Sequence, residues 1–313
     1  MNKRFAILLT AFAAITINAQ TYRIISYNVE NLFDTHSDSL KLDDDFTAEG
    51  ARHWTATRYN HKITNISRVI ANIAQWQTPM LIGLSEVENE QCIKSLLYDG
   101  GLKRMGYEYL HHESQDARGI DCVLLYNPTL FQLKSARFIH VDLPQSERQT
   151  REIVFAVGKT DFTDNLYVFL CHLPSQYGGS TSTQHKRKIV KDTLKQMTDS
   201  LISVEPNADI IVMGDMNSEA ADDLLPLKNL MLKMQEQGKG THKWEGQWTC
   251  LDQFYASPHL LEYSTANIFD ENWLQENDEK YGGIKPWRTY NGFQYIGGYS
   301  DHLPIFLDIN ITH

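Results

Sequence analysis

Apolar and polar positions along the chain switch between a period of two and a period of three to four, and these switches mark the elements. Residues 22–28 (YRIISYN) alternate as a strand does, whereas 59–76 places Ile63, Ile66, Val69, Ile70, Ile73 and Trp76 at helical spacing. The short apolar run MLIGL (80–84) predicts a buried strand, and further strands are expected in YEYLH (107–111), IDCVLLY (120–126) and FQLKSARFIHV (131–141). EIVFAVGKT and LYVFLCHL flank the turn DFTDN and predict a hairpin. A second amphipathic helix is expected over 184–202, on Ile189, Leu194, Met197 and Leu201, and strands again in ADIIVMGD (208–215), LDQFYAS (251–257) and PIFLDI (304–309). Hairpins and βαβ-type crossovers interleave from end to end. The pattern therefore predicts an α/β (α+β) fold of mixed sheets covered by helices, not one parallel sheet. No linker, low-complexity tract or repeat divides it, so 20–313 is expected to be one domain.

The N-terminus is patterned differently. Lys3 and Arg4 precede an apolar run over 5–17, followed by Asn18 and the small Ala19, which is the form of a secretory signal peptide at 1–19. The run falls short of the roughly 20 residues that span a bilayer. Export to the periplasm or the extracellular space is expected, as a monomer with no stable membrane insertion. With 42% hydrophobic residues in 313, the chain has material for a core, and disorder, collagen-like and coiled-coil classes are excluded. The net charge of −10 weighs against a broad basic surface for nucleic acid but leaves room for a local phosphate site. The four cysteines show no CxxC or Cys/His metal spacing, and Cys122 and Cys171, inside strand-like runs, are expected as buried thiols rather than bridges.

Candidate chemistry gathers where strands end. Asn28 closes the first strand, Glu86 follows MLIGLS, His172 follows FLC, Asp215 and Asn217 follow IIVMG, and Asp301 and His302 precede the last strand. Strand ends on an α/β scaffold are where side chains converge on a ligand. One Asp or Asn after a strand is usually a turn or cap residue. Five such strand ends together point to a site.

These segments, ISYNVENL (25–32), GLSEVEN (83–89), RGIDCVLLY (118–126), CHLPSQYGG (171–179), VMGDMNS (212–218), LDQFYAS (251–257) and GGYSDHLPI (297–305), resemble in content and order those of the endonuclease/exonuclease/phosphatase superfamily. Its members are metal-dependent phosphoesterases, among them pancreatic-type DNases, apurinic endonucleases, sphingomyelinases and inositol polyphosphate 5-phosphatases. The resemblance implies a four-layer sandwich of two packed mixed β-sheets flanked by helices, with the site at one sheet edge.

Physical chemistry and the family agree on roles. Glu86 and Asp301, with the amide oxygen of Asn28, are hard oxygen ligands of the kind that Mg²⁺ or Mn²⁺ accepts. Asp215 and Asn217 are expected to position and deprotonate the attacking water. His172 and His302 are expected to donate to the phosphate as cationic histidines, and the family implies that Asp252 pairs with His302, holding its tautomer and keeping it cationic. Asp215, beside a metal and cationic histidines, is expected to keep a low pKa; the alternative for it is a cap on a helix over 218–225.

Weaker candidates surround this set. Asp121 sits where a partner of His172 would lie, or is a solvated or ion-paired strand residue. Arg118, Arg148 and Arg151 are either phosphate contacts or ordinary ion pairs. KLDDDF (41–46) reads as a charged loop or a second metal site, and Trp244, Trp248, Trp287, Tyr290 and Phe293 as packing or a stacking wall. The expected function is a secreted metal-dependent phosphodiesterase or endonuclease acting on DNA, RNA or nucleotides. The alternatives are a phosphatase or phospholipase of the same fold, acting on inositol phosphates or lipid head groups, and a binding module, which has no use for so complete a catalytic set.

Overall fold

A computed structural model describes residues 19–144, 147–176 and 180–312. The expected leader, Ala19 apart, and the last three residues of CHLPSQYGG lie outside the described residues. Strand β1 (Ala19–Leu32), helix α1 (Ala56–Ala74), β2 (Leu81–Val87), the short α2 (Glu90–Lys94), β3 (Glu108–Leu110) and β4 (Asp121–Tyr126) come first. Next are β5 (Gln132–Ile139), the hairpin β6 (Ile153–Lys159) and β7 (Leu166–His172), the long α3 (Ser180–Val204), β8 (Asp209–Asp215) and β9 (Lys228–Asn229). The last third holds β10 (His242–Trp244), β11 (Gln247–Thr249), β12 (Asp252–Ala256), β13 (Ser264–Ile268), β14 (Gln275–Asn277), β15 (Ile284–Pro286), β16 (Tyr290–Asn291), β17 (Gln294–Tyr295) and β18 (Ile305–Thr312).

Two six-stranded mixed sheets result, ordered β13-β18-β1-β2-β4-β3 and β5-β6-β7-β8-β12-β9. Each has one parallel pair at its centre, β1 with β2 and β7 with β8, with antiparallel neighbours on either side. Successive side chains of a strand face opposite ways, and this builds the layers. Val168 and Leu170 of β7 and Ile211 and Met213 of β8 join the cluster shared with the other sheet, whereas Phe169, Cys171, Ile210 and Val212 cluster with Val190 and Leu194 of α3. Both faces of these strands are buried, which is why their sequences read as unbroken apolar runs. On the far side, Ile63, Ile66, Val69, Ile70 and Ile73 of α1 cover the first sheet. Helix, sheet, sheet, helix is the α/β sandwich expected from the motifs. Gly83 lets the sheets meet closely: a Cβ there would lie 2.7 Å from Leu170 Cδ1 and 2.9 Å from Met213 Cε.

Two details depart from the periodicity. Trp76 lies past the end of α1, where Gln75 turns to φ 53°, and is fully exposed instead of extending the apolar stripe. Residues 218–225 form an irregular loop that ends in a turn, so there is no helix for Asp215 to cap. Cys92, Cys122, Cys171 and Cys250 are buried free thiols.

Candidate active site

Three neighbouring strands line up the central row. His172 pairs in register with Asp215, the last residue of β8, and Asp215 pairs in turn with Asp252, the first residue of β12. All three are buried. Gly214 makes the close approach possible, since at φ 134° a Cβ would lie 1.8 Å from the Cys171 carbonyl oxygen. Asn217 N–H donates to Asp215 Oδ1 at 2.8 Å, a local turn bond that fixes the carboxylate, while Asn217 itself (φ 48°) anchors its amide on the Leu173 carbonyl. Asp215 Oδ2 is then left facing Asn28 Nδ2 at 3.0 Å, His172 Nε2 at 3.5 Å and His302 Nε2 at 3.9 Å.

The opposite wall comes from irregularities in the first sheet. Register shifts after Asn28 and after Ser85 re-aim the ends of β1 and β2, and Glu30, Asn31 and Glu86 all adopt left-handed φ. Glu86 Oε2 accepts from Asn31 N–H at 2.8 Å, and Oε1 stands 3.7 Å from Arg118 and 4.0 Å from His172. Asn28, expected as a metal ligand through its oxygen, uses one lone pair of Oδ1 for Glu30 N–H and its amino group for Asp215, so it ties β1 to the row.

His302 carries the family's expected partner. Its Nδ1 bonds Asp252 Oδ2 at 2.7 Å, and Thr241 Oγ1 accepts from the backbone of both Leu251 and Asp252, steadying that strand end. Burial opposes protonation of His302, but the Asp252 and Asp215 carboxylates outweigh it and push its pKa well above the ordinary value. His172 behaves in the opposite way, because burial and then the Arg151 guanidinium hold it well below that value. Arg151 reaches both ring nitrogens, at 3.1 Å and 2.8 Å. The two shifts are opposed, favouring the cation on His302 and the neutral ring on His172. Asp215 also departs from expectation. Burial outweighs the His302 charge and raises its carboxyl to about 6 instead of keeping it low.

Of the weaker candidates, Arg118 belongs to the site, bonded to Asn31 Oδ1 beside Glu86. Arg151 is both a buried ion pair with Asp116 at 3.3 Å and a neighbour of His172. Asp121 is not engaged with His172: it accepts from Ser114 N–H at 3.1 Å and faces His111 at 3.7 Å. Arg148 is exposed on the loop before β6, where its carbonyl accepts from Lys186. In the 41–46 run, Asp43 turns back to Ser37 and Asp38 and so knits its own loop. Trp244 and Phe293 are exposed, while Tyr290 packs in a buried cluster with Trp54, and Trp248 and Trp287 pack against the main core.

Sequence reasoning passed over a charged group on the β1 side. Arg288 meets Asp301 Oδ2 at 3.0 Å and Glu30 Oε1 at 3.4 Å, and buried Lys62 donates to Thr289 Oγ1 and the Tyr299 carbonyl. Burial lowers Lys62 to about 8, and burial raises Glu30. Burial would raise Asp301 too, but Arg288 and His302 hold it at about 2, ionised at any working pH. Lys62 leaves only a faint mark in the sequence, a polar residue before Ile63, and it is the structure that shows the position to be buried. His242 is another omission, its ring 5.0 Å from that of His302, and with Asp301 and His302 it offers ligand atoms all within 4.8 Å of one another.

The donors fit a hard divalent ion. Asp301 is held ionised, Glu86 Oε1 has no neighbour within hydrogen-bonding distance among the described residues, and both are carboxylates. Among the described residues, no helix is long and apolar enough to cross a membrane.

Several solved structures share this architecture. Truncated TDP2 of Caenorhabditis elegans is 14% identical, with a TM-score of 0.59 over 93% of this chain and 98% of that one. A mannosyl-6-phosphatase of Bacteroides thetaiotaomicron is 14% identical, with a TM-score of 0.57 over 93% and 99%. D. rerio TDP2, complexed with a single-strand DNA product, is 15% identical, with a TM-score of 0.55 over 93% and 99%. At such identities the likeness is one of fold. No curated protein sequence matches the chain. The model of a family of divalent-metal-dependent phosphoester hydrolases does match, over residues 23–311, and the chain belongs to that family, the Endonuclease/Exonuclease/phosphatase family.

Proposed function

We propose that this protein is an exported, Mg²⁺- or Mn²⁺-dependent phosphodiesterase that hydrolyses nucleic acid or nucleotides by direct attack of water on phosphorus. The observation that carries the reading is the row His172, Asp215, Asp252, with His302 closing it at hydrogen-bonding distance from Asp252. Asp215, raised to about 6, is ionised at neutral pH yet basic enough to take a proton from water, as an effective general base should be. Asn217 keeps its carboxylate oriented. Cationic His302 donates through Nε2 to a nonbridging phosphate oxygen, while Asp252 holds the other ring nitrogen and with it the tautomer. Neutral His172 supplies a second donor. Glu86 and Asp301, with the remaining lone pair of Asn28 Oδ1, would hold the metal, which when bound neutralises phosphate charge and eases departure of the leaving oxygen. Export rests on Lys3, Arg4 and the apolar run at 5–17.

A phosphatase acting on a sugar or inositol phosphate is the second reading. A chain of net charge −10 is poorly suited to long polyanions, and the mannosyl-6-phosphatase has the same fold. A hydrolysis screen separates the two. Plasmid DNA, RNA, bis-nitrophenyl phosphate, mannose 6-phosphate and inositol polyphosphates are offered with Mg²⁺, Mn²⁺, Ca²⁺ or EDTA. Cleavage of diesters that EDTA abolishes supports the diesterase; cleavage of monoesters alone replaces it with the phosphatase. Full activity in EDTA refutes the metal assignment.

A further inference from the structure

We infer that Arg288 is a substrate-binding residue that grips the nonbridging oxygens of the scissile phosphate. The inference rests on the phosphoesterase reading and adds a residue to it.

The loop that carries Arg288 is anchored at more than one point. Arg288 accepts from Gly298 N–H through its carbonyl at 3.0 Å, Thr289 N–H donates to Glu30 Oε2 at 2.6 Å, and Lys62 Nζ donates to Thr289 Oγ1 at 2.6 Å. Gly298 permits the contact, since a Cβ would lie 2.1 Å from the Trp287 carbonyl oxygen and 2.4 Å from that of Arg288. The loop's backbone thus has anchors other than the guanidinium, whose own contacts are to carboxylates. Nε faces Glu30 and Nη2 faces Asp301, and among the described residues Nη1 has no protein acceptor. The side chain keeps 37% of its surface exposed, far more than the fully buried Lys62 beside it. A guanidinium anchored by one edge on carboxylates and open on the other is pre-organised to receive a second oxyanion in its planar fork.

Placement strengthens the case. Arg118 stands at Glu86 and Arg288 at Asp301, so each carboxylate expected to hold the metal has a guanidinium beside it. A phosphate drawn to those carboxylates through a bound cation meets both arginines.

Arg288→Lys and Arg288→Gln test the assignment in the full chain. Lysine keeps the charge that balances Glu30 and Asp301 but loses the fork, and it guards against a glutamine variant that fails to fold. Inorganic phosphate binding is measured by calorimetry with saturating Mg²⁺, and Mn²⁺ affinity is measured separately by electron paramagnetic resonance. Phosphate should bind at least about tenfold more weakly to the glutamine variant, the scale of one charge-assisted hydrogen bond, and less weakly to the lysine variant. Mn²⁺ affinity should stay equal or tighten. Unchanged phosphate binding in variants of an active enzyme overturns the role of Arg288 alone. Mn²⁺ affinity that falls in parallel with phosphate binding also overturns it, making Arg288 a mere support for Asp301. A wild type that neither binds phosphate nor hydrolyses any phosphoester overturns the phosphoesterase reading, and this inference with it.

Discussion

Replacing Asp215 by asparagine should produce a protein that is no less stable and nearly inactive. The carboxylate is buried, and burial raises its pKa from 3.8 to about 6. At ~1.4 kcal/mol per unit, the folded state pays roughly 3 kcal/mol to keep this group charged at neutral pH. The sign follows from linkage. Because the folded value lies above the ordinary one, the native state holds a proton that the unfolded chain has lost between pH 4 and 6, and stability falls as pH rises through that window. Asparagine removes this cost. It keeps an oxygen for Asn217 N–H but turns its amino group toward Asn28 Nδ2, forfeiting a hydrogen bond of about 1 kcal/mol. The net expectation is a melting temperature equal to the wild type or a few degrees higher at pH 7, with an advantage that shrinks toward pH 4. Turnover should fall by about 10² to 10⁴, the effect of a lost general base, with little change in KM. The wild-type rate should also decline below about pH 6 as Asp215 takes up its proton. Steady-state kinetics on bis-nitrophenyl phosphate beside calorimetric melting decide it. Near-normal turnover would show that the base lies elsewhere, and melting several degrees lower would refute the account of a strained, buried charge.

Glu86→Gln should weaken Mn²⁺ binding by about tenfold or more, read by electron paramagnetic resonance, because it removes a charge while keeping an oxygen in place; unchanged affinity would reassign the ligand. His302→Ala should lose at least ~10² in turnover and also melt early, because Asp252, with no exposed surface, is left as an unpaired buried carboxylate. His172→Ala should lose activity and melt earlier by a smaller margin than His302→Ala, since the buried ring it removes is neutral and Arg151 keeps its ion pair with Asp116; lost stability with normal turnover of the folded protein would make His172 a structural residue. Gly214→Ala should destabilise by about 3 kcal/mol or more in denaturant unfolding, because its Cβ collides with the Cys171 carbonyl oxygen in the strand pair that aligns His172 with Asp215.

What could be read in advance follows from how each residue signals itself. β7 and β8 were visible because both of their faces are buried, which leaves an apolar run no surface strand would carry. Their terminal residues, His172 and Asp215, stand out as members of a set: a single polar residue after a strand is usually a turn or cap, but five strand ends carrying such residues point to a site. Asp252 and His302 were assigned together through the family pattern, and the 2.7 Å bond between them supplies the geometry that spacing along a chain cannot. Protonation was less accessible. Proximity to cations predicts a low Asp215 and a charged His172, but both are buried, and desolvation acts on each against its charged form; only the three-dimensional structure shows how dry the site is. Arg288, Glu30 and Lys62 were beyond reach for a different reason. They arrive from a late loop, the bulged end of β1 and the middle of α1, separated by more than two hundred residues between first and last, and none closes an apolar run. Lys62 alone leaves a trace, and a faint one, because a lysine between apolar helix positions normally extends its stem along the surface and keeps its ammonium in water. Here the ammonium is sealed against Thr289 and Tyr299, near Glu30 and Asp301, and that burial is intelligible only once those carboxylates are known to need a countercharge.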